Sequence, residues 1–281
     1  MKKYSLIIMI LLAAALQLSA YGQGDPGYDG NPGSREKLGS FDSVAIHIRA
    51  ETELIRGSKN SVDIQMSERA ARNIDVYNDR GTLVIKARNG YWVRKDDSVK
   101  IRITMPRWES VKMTASGKLY SSDRWDLDYA LIRNSGSCEI RLDSLDTDRL
   151  NFRGSGSGDI RFGELIVQDD IEMTSTGSGD IDADYLECEN LSLHLTGSGD
   201  FSAQLDTEIF TARTTGSGMI IASGSCFRAD FNTTGSGGVS AEDLDAEEAY
   251  IRITGSGDTT LKDGAHLKEI RMTGSGTFRS L

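Results

Sequence analysis

Hydrophobic and polar residues alternate along most of the chain. Leu191, Leu193 and Leu195 alternate with polar neighbours, as do Ala249, Ile251 and Ile253, Ile181 and Ala183, Phe201 and Ala203, and Ile220 and Ala222. A period of two predicts strands with one buried face. Helical spacing is absent from this part of the chain. The polar positions are mostly Thr, Ser, Asp and Arg.

The strands are punctuated by one recurring corner. T-G-S-G-D stands at Thr176–Asp180, Thr196–Asp200 and Thr254–Asp258, and T-G-S-G begins at Thr215, Thr234 and Thr273. Looser forms occur at Ala115, Asn134 and Gly154. Taking Gly117, Gly136, Gly158, Gly179, Gly199, Gly218, Gly237, Gly257 and Gly276 as the ruler, the steps are 19, 22, 21, 20, 19, 19, 20 and 19 residues. A fixed period near 20 predicts a repeat architecture. One such unit cannot bury its own apolar face, but stacked coils can, so the expected fold is an all-β, parallel β-helix-like solenoid over residues 116–281.

The pairs Gly156 and Gly158, Gly177 and Gly179, Gly197 and Gly199, Gly216 and Gly218, Gly235 and Gly237, Gly255 and Gly257, and Gly274 and Gly276 are expected to be structural. By parity both glycines of a pair face inward, where a sharp corner between two sheets leaves no room for a Cβ.

Residues 35–115 differ. Val44–Ile48, Val62–Met66 and Val99–Ile103 alternate, Asn78–Gly81 reads as a hairpin turn, and Ser67–Arg72 fits one helical turn. Met105-Pro106 closes a strand. This region is expected to cap or continue the solenoid. Upstream, residues 23–34 are a Gly- and Pro-rich linker. Residues 1–22 have a basic start, an apolar run from Leu6 to Leu16 and small residues at Ala20 and Gly22. That is the pattern of a secretory signal peptide, and no Cys stands where a lipoprotein would carry one. The expectation is export to the periplasm or cell surface without membrane insertion.

The formal net charge of −10 argues against nucleic acid or an anionic membrane as partner. Cys138, Cys188 and Cys226 match no zinc spacing. Cys188 and Cys226 would lie two coils apart, roughly 10 Å, beyond disulfide reach, so three free buried thiols are expected.

Candidate chemistry is sparse. Asp180, Asp182 and Asp184 resemble the start of a calcium loop, but Tyr185 and Leu191 stand where the loop needs Gly and an acid. Asp159, Asp180, Asp200 and Asp258 form an outward column, broken at Met219 and Gly238, that calcium or a sugar could engage. Tyr91, Trp92, Arg94 and Lys95 form an aromatic-basic cluster able to stack on a sugar or protein; otherwise its aromatics cover the end of the rod. His47, His194 and His266 are scattered, and no phosphate loop or nucleophile elbow occurs. No cofactor is expected.

The exported chain, its opening at Phe41–Ile46, the Met105-Pro106 segment and the serial T-G-S-G-D-I repeats resemble the DUF2807 family of autotransporter-adhesin head GIN domains, over roughly residues 36–281. The resemblance implies a right-handed two-sheet β-superhelix with G-S-G at its tight turns, no catalytic residues, and a role in cell adhesion. The expected function is therefore non-enzymatic surface interaction with a cell-surface or envelope protein or a glycan. A carbohydrate-binding solenoid and a periplasmic envelope scaffold or sensor are the alternatives. The last coil ends on an unpaired strand edge, which self-association or a partner is expected to cover.

Overall fold

A computed structural model describes residues 38–281, together with the backbone of Leu6–Leu11. The remainder of the leader and the linker lie outside the described residues. Leu6–Leu11 (β1) runs antiparallel to Ser61–Met66 (β4). The other early strands are Ser43–Ile46 (β2), Ala50–Arg56 (β3), Ile74–Asp79 (β5), Thr82–Ala87 (β6), Lys100–Met105 (β7) and Ser110–Met113 (β8).

The chain then winds into a β-solenoid of about nine turns. Its strands are Ser116–Asn134 (β9), Ser137–Gly154 (β10), Ile160–Val167 (β11), Asp170–Ser175 (β12), Ile181–Gly197 (β13), Phe201–Gly216 (β14), Met219–Gly235 (β15), Gly238–Gly255 (β16), Thr259–Leu261 (β17), His266–Gly274 (β18) and Phe278–Ser280 (β19). Each coil pairs in parallel with the next; β13, β14, β15 and β16 run almost residue for residue. Register shifts at Leu142/Ser144, Ala183/Leu186 and Ile221/Ser223 mark irregularities in mid-coil, as β-bulges do where a strand bends.

The N-terminal strands pair directly with this stack. β3 pairs in parallel with β9, and β2 with β8. The β5–β6 hairpin turns through Arg80 and Gly81, both at positive φ. The short helix Glu68–Ala71 (α1) is N-capped by the Ser67 hydroxyl, which accepts from the Ala70 amide, the favoured cap chemistry. Trp108 and Trp125 lie fully buried at the junction, edge to face with centroids 6.3 Å apart. The Ser121 hydroxyl donates to the Leu54 carbonyl at 2.6 Å and accepts from Trp125 Nε1 at 2.8 Å.

A continuous apolar column fills the interior. Leu191, Phe210, Ala229 and Ala249 stack in successive coils, and beside them Leu193, Ala212, Phe231 and Ile251. Large rings stand next to alanines, so Phe210 and Phe231 interlock at 5.4 Å without overfilling any one coil. On β18 the columns end: Leu267, Ile270 and Met272 are 42%, 43% and 45% exposed.

Two expectations about the corners are corrected. The glycine pairs form two vertical files, and Gly136 stands in the first file, above Ala115, while Cys138 occupies the second, above Gly117. The ruler steps across that coil are therefore even. The second glycine is buried at Gly179, Gly199, Gly218, Gly237 and Gly257, as parity placed it, but the crowding does not come chiefly from the interior. The first glycine of the pair is only half-buried at Gly177, Gly197 and Gly216. A Cβ on Gly177 would point along the stack and lie 2.8 Å from the carbonyl carbon of Gly156, closer still to its oxygen. Backbones of successive coils touch there, and only hydrogen fits between them.

Candidate functional site: the outward column and the N-terminal loop

The Asp column exists, and its carboxylates face neighbouring amides. Asp159 Oδ1 accepts from the Asp180 amide at 3.0 Å, Asp180 Oδ1 from the Asp200 amide at 2.8 Å, and Asp200 Oδ1 from the Met219 amide at 2.7 Å. Asp258 Oδ1 accepts both the amide and the hydroxyl of Thr277, at 2.9 and 2.7 Å. The corner turns these amides away from the carbonyl ladder, and the carboxylate one coil below takes the carbonyl's place. Such charge-assisted bonds are stronger than neutral ones. The two hydrogen bonds from Thr277 hold the Asp258 carboxyl below its ordinary range. Asp182, on β13, is shifted up by burial and then by the negative charge of Asp180.

The breaks in the column fit each other. The thioether of Met219 lies over Gly238, whose added Cβ would sit 3.3 Å from the Met219 sulfur. No group of three or more His, Cys, Asp or Glu side chains with metal-holding geometry occurs among the described residues.

The three cysteines are free and buried. Cys188, Thr207 and Cys226 occupy one position in three successive coils, which separates the two thiols as the spacing argument required. Burial pushes the thiols up, to about 12 for Cys138, about 11 for Cys188 and about 12 for Cys226. His194 is held by Ser192 at 3.3 Å, and His47 by Thr114 at 2.8 Å.

Sequence reasoning gave no role to Asn134 or Asp97, because each acts through partners distant in sequence or through backbone groups. Asn134 is buried inside a corner and donates from Nδ2 to the carbonyls of Cys138 and Gly158, at 2.6 and 3.2 Å. Asp97 is 6% exposed and anchors the loop that carries the aromatic-basic cluster. It accepts from the Arg94 amide at 2.7 Å and from the Ser67 and Tyr91 hydroxyls, each at 3.0 Å. Burial alone raises the Asp97 carboxyl; those bonds and the Arg69 charge outweigh it and hold the group low.

The aromatics of that loop do not both cover the rod. Tyr91 packs against the core with Arg69 over its ring at 5.5 Å, whereas Trp92 is 84% exposed. The reason is the anchor: Asp97 draws Tyr91 inward and leaves Trp92 on the outer side of the loop.

A family model described as "Putative auto-transporter adhesin, head GIN domain" matches residues 40–209 and again 171–281. The chain belongs to the DUF2807 family. Solved structures share the fold. A putative adhesin from Bacteroides fragilis NCTC 9343 is 18% identical, with 87% of this chain and 94% of that one covered and a TM-score of 0.56. A putative adhesin from Parabacteroides distasonis ATCC 8503 is 12% identical over 87% and 94%, with a TM-score of 0.61. One from Parabacteroides merdae ATCC 43184 is 12% identical over 87% and 93%, with a TM-score of 0.57. No protein with a curated description matches the chain. No helix among the described residues is long and apolar enough to cross a membrane.

Proposed function

We propose that this DUF2807 chain is an exported, non-enzymatic contact protein that works in adhesion at the cell surface. The observation that carries the proposal is the division of labour among its outward residues. The carboxylates repeated along the shaft are engaged in joining coils. The largest exposed aromatic, Trp92, instead stands on an anchored loop at the N-terminal end. A rigid rod with a presented end suits contact with a surface. The names of the similar structures support the same reading, and the signal-peptide pattern of residues 1–22 supports export.

The test is retention of beads coated with the exported chain on mucin-coated and bacterial-envelope-coated surfaces under flow, against albumin-coated beads. Retention above the albumin level is expected. Equal retention would overturn the adhesion reading.

A further inference from the structure

The loop anchored by Asp97 forms one wall of a groove of about 520 Å³. Its lining brings together four stretches of sequence: Arg49 to Glu51, Arg94 to Lys100, Ser116 to Lys118, and Ser137. Five cations thus face one carboxylate, in a chain whose net charge is −10. Cations clustered in this way make a local positive potential that favours an anionic ligand, even on a chain of negative net charge. Two of the five are engaged: Lys100 with Glu51 at 3.6 Å and Lys118 with Glu139 at 2.6 Å. Both pairs are exposed and weakly held. Arg49, Arg94 and Lys95 form no ion pair among the described residues. Ser98, Ser116 and Ser137 add hydroxyls to the lining.

Trp92 lies two residues before Arg94 in the same loop and is 84% exposed. It is not among the residues that line the groove, so it would meet a ligand only where that ligand extends past the groove along the loop. Rings of this kind stack on the apolar face of a sugar, while guanidinium and ammonium groups take carboxylate or sulfate oxygens. The volume lies within the ordinary range for a ligand site, roughly 300–1,000 Å³. The loop is held by the three hydrogen bonds to Asp97, one of them from Tyr91, whose ring packs against the core, so the site is largely formed before a ligand arrives.

We infer that this groove binds an anionic glycan, with Arg49, Arg94 and Lys95 on its acidic groups and Trp92 on a sugar ring. The inference rests on the surface-contact reading and names its ligand class. Uronate and sulfate groups present the same oxygen chemistry to the groove, and the experiment separates them.

The test measures binding of the exported chain to polygalacturonate, dextran sulfate and neutral dextran at low and physiological salt. Wild type is expected to bind one or both anionic polymers, more weakly as salt rises, and not neutral dextran. The ratio of the two affinities assigns uronate or sulfate. The triple variant Arg49→Ser, Arg94→Ser, Lys95→Ser is expected to bind about tenfold more weakly, a change of about 1.4 kcal/mol; Trp92→Ala should weaken binding without changing its salt dependence.

A control removes the same charge from the shaft, by Arg133→Ser, Arg153→Ser and Arg213→Ser, which share an outward file. Its affinity should match wild type. All six positions are exposed, and unchanged melting would confirm folding. The inference is overturned if no anionic polymer binds at low salt, if the groove variant binds like wild type, or if the shaft variant loses as much as the groove variant. Binding to phosphatidylserine vesicles without binding to either glycan would overturn it as well. The bead assay keeps the two proposals apart. Groove-variant beads that adhere like wild type sink the groove alone, whereas wild-type beads that fail to adhere sink the adhesion reading.

Discussion

Replacing Gly177 by Ala adds one methyl group at a close approach between coils. The new Cβ would meet the Gly156 carbonyl, 2.8 Å from its carbon and 3.2 Å from its amide nitrogen, and closer to its oxygen. Ordinary contact between such atoms begins near 3.4 Å, and a backbone carbonyl cannot swing aside as a side chain does. The coils, stacked about 4.8 Å apart, must therefore separate locally by on the order of 1 Å. That stretches the hydrogen bonds from the Ser178 amide to the Gly156 carbonyl, 3.1 Å, and from the Thr176 amide to the Gly154 carbonyl, 3.0 Å.

Two such bonds are worth about 1 kcal/mol each, and overpacking adds about 1–3 kcal/mol. The reduced freedom of the unfolded chain offsets about 0.4–1 kcal/mol. The net expectation is a loss of roughly 2–4 kcal/mol. For a chain of this size that lowers the melting temperature by about 4–16 °C. Gly177 is chosen because its φ lies outside the left-handed range, so the loss reports crowding and not backbone strain. Circular dichroism melts of Gly177→Ala beside Ser178→Ala decide the matter. The serine is exposed, and its replacement should fall within about 0.5 kcal/mol of wild type. A Gly177→Ala melting temperature within 1 °C of wild type, on the order of experimental error, would refute the stacking argument.

Two further outcomes are expected. The thiols of Cys138, Cys188 and Cys226, pushed up to about 12, about 11 and about 12 by burial, should resist iodoacetamide at pH 8 in the folded chain and react fully in guanidinium; mass spectrometry reads the difference, and rapid labelling of the native protein would contradict their burial. Asp97 has a folded pKa below its unfolded value of about 3.9. Its stabilisation is therefore complete above that value and lost as pH falls through the folded pKa. The gap in melting temperature between wild type and Asp97→Asn should stay constant above about pH 5 and close on further acidification; a gap that persists unchanged in strong acid would refute the anchor.

The period-two alternation and the step near 20 residues determined the architecture from sequence alone, because both are local: side chains alternate across a strand whatever lies beyond it, and a unit too small to bury its own face must stack. The Asn78–Gly81 turn, the helical turn at Ser67–Arg72 and the separation of Cys188 from Cys226 were legible for the same reason. What only the tertiary structure decided is what one coil does to the next. Parity placed the corner glycines inward, yet their hydrogens point along the stack at a carbonyl some 20 residues away in sequence. The Asp column was visible as a pattern, but its amide partners were not, since the corner that frees those amides is a matter of backbone direction. The groove was out of reach altogether: Arg94 and Lys95 stood beside Trp92 in the sequence, but Arg49 and Lys118 join them only because β3 pairs with β9. Periodicity states which face of a strand is buried; only register between distant strands states which charges end up as neighbours.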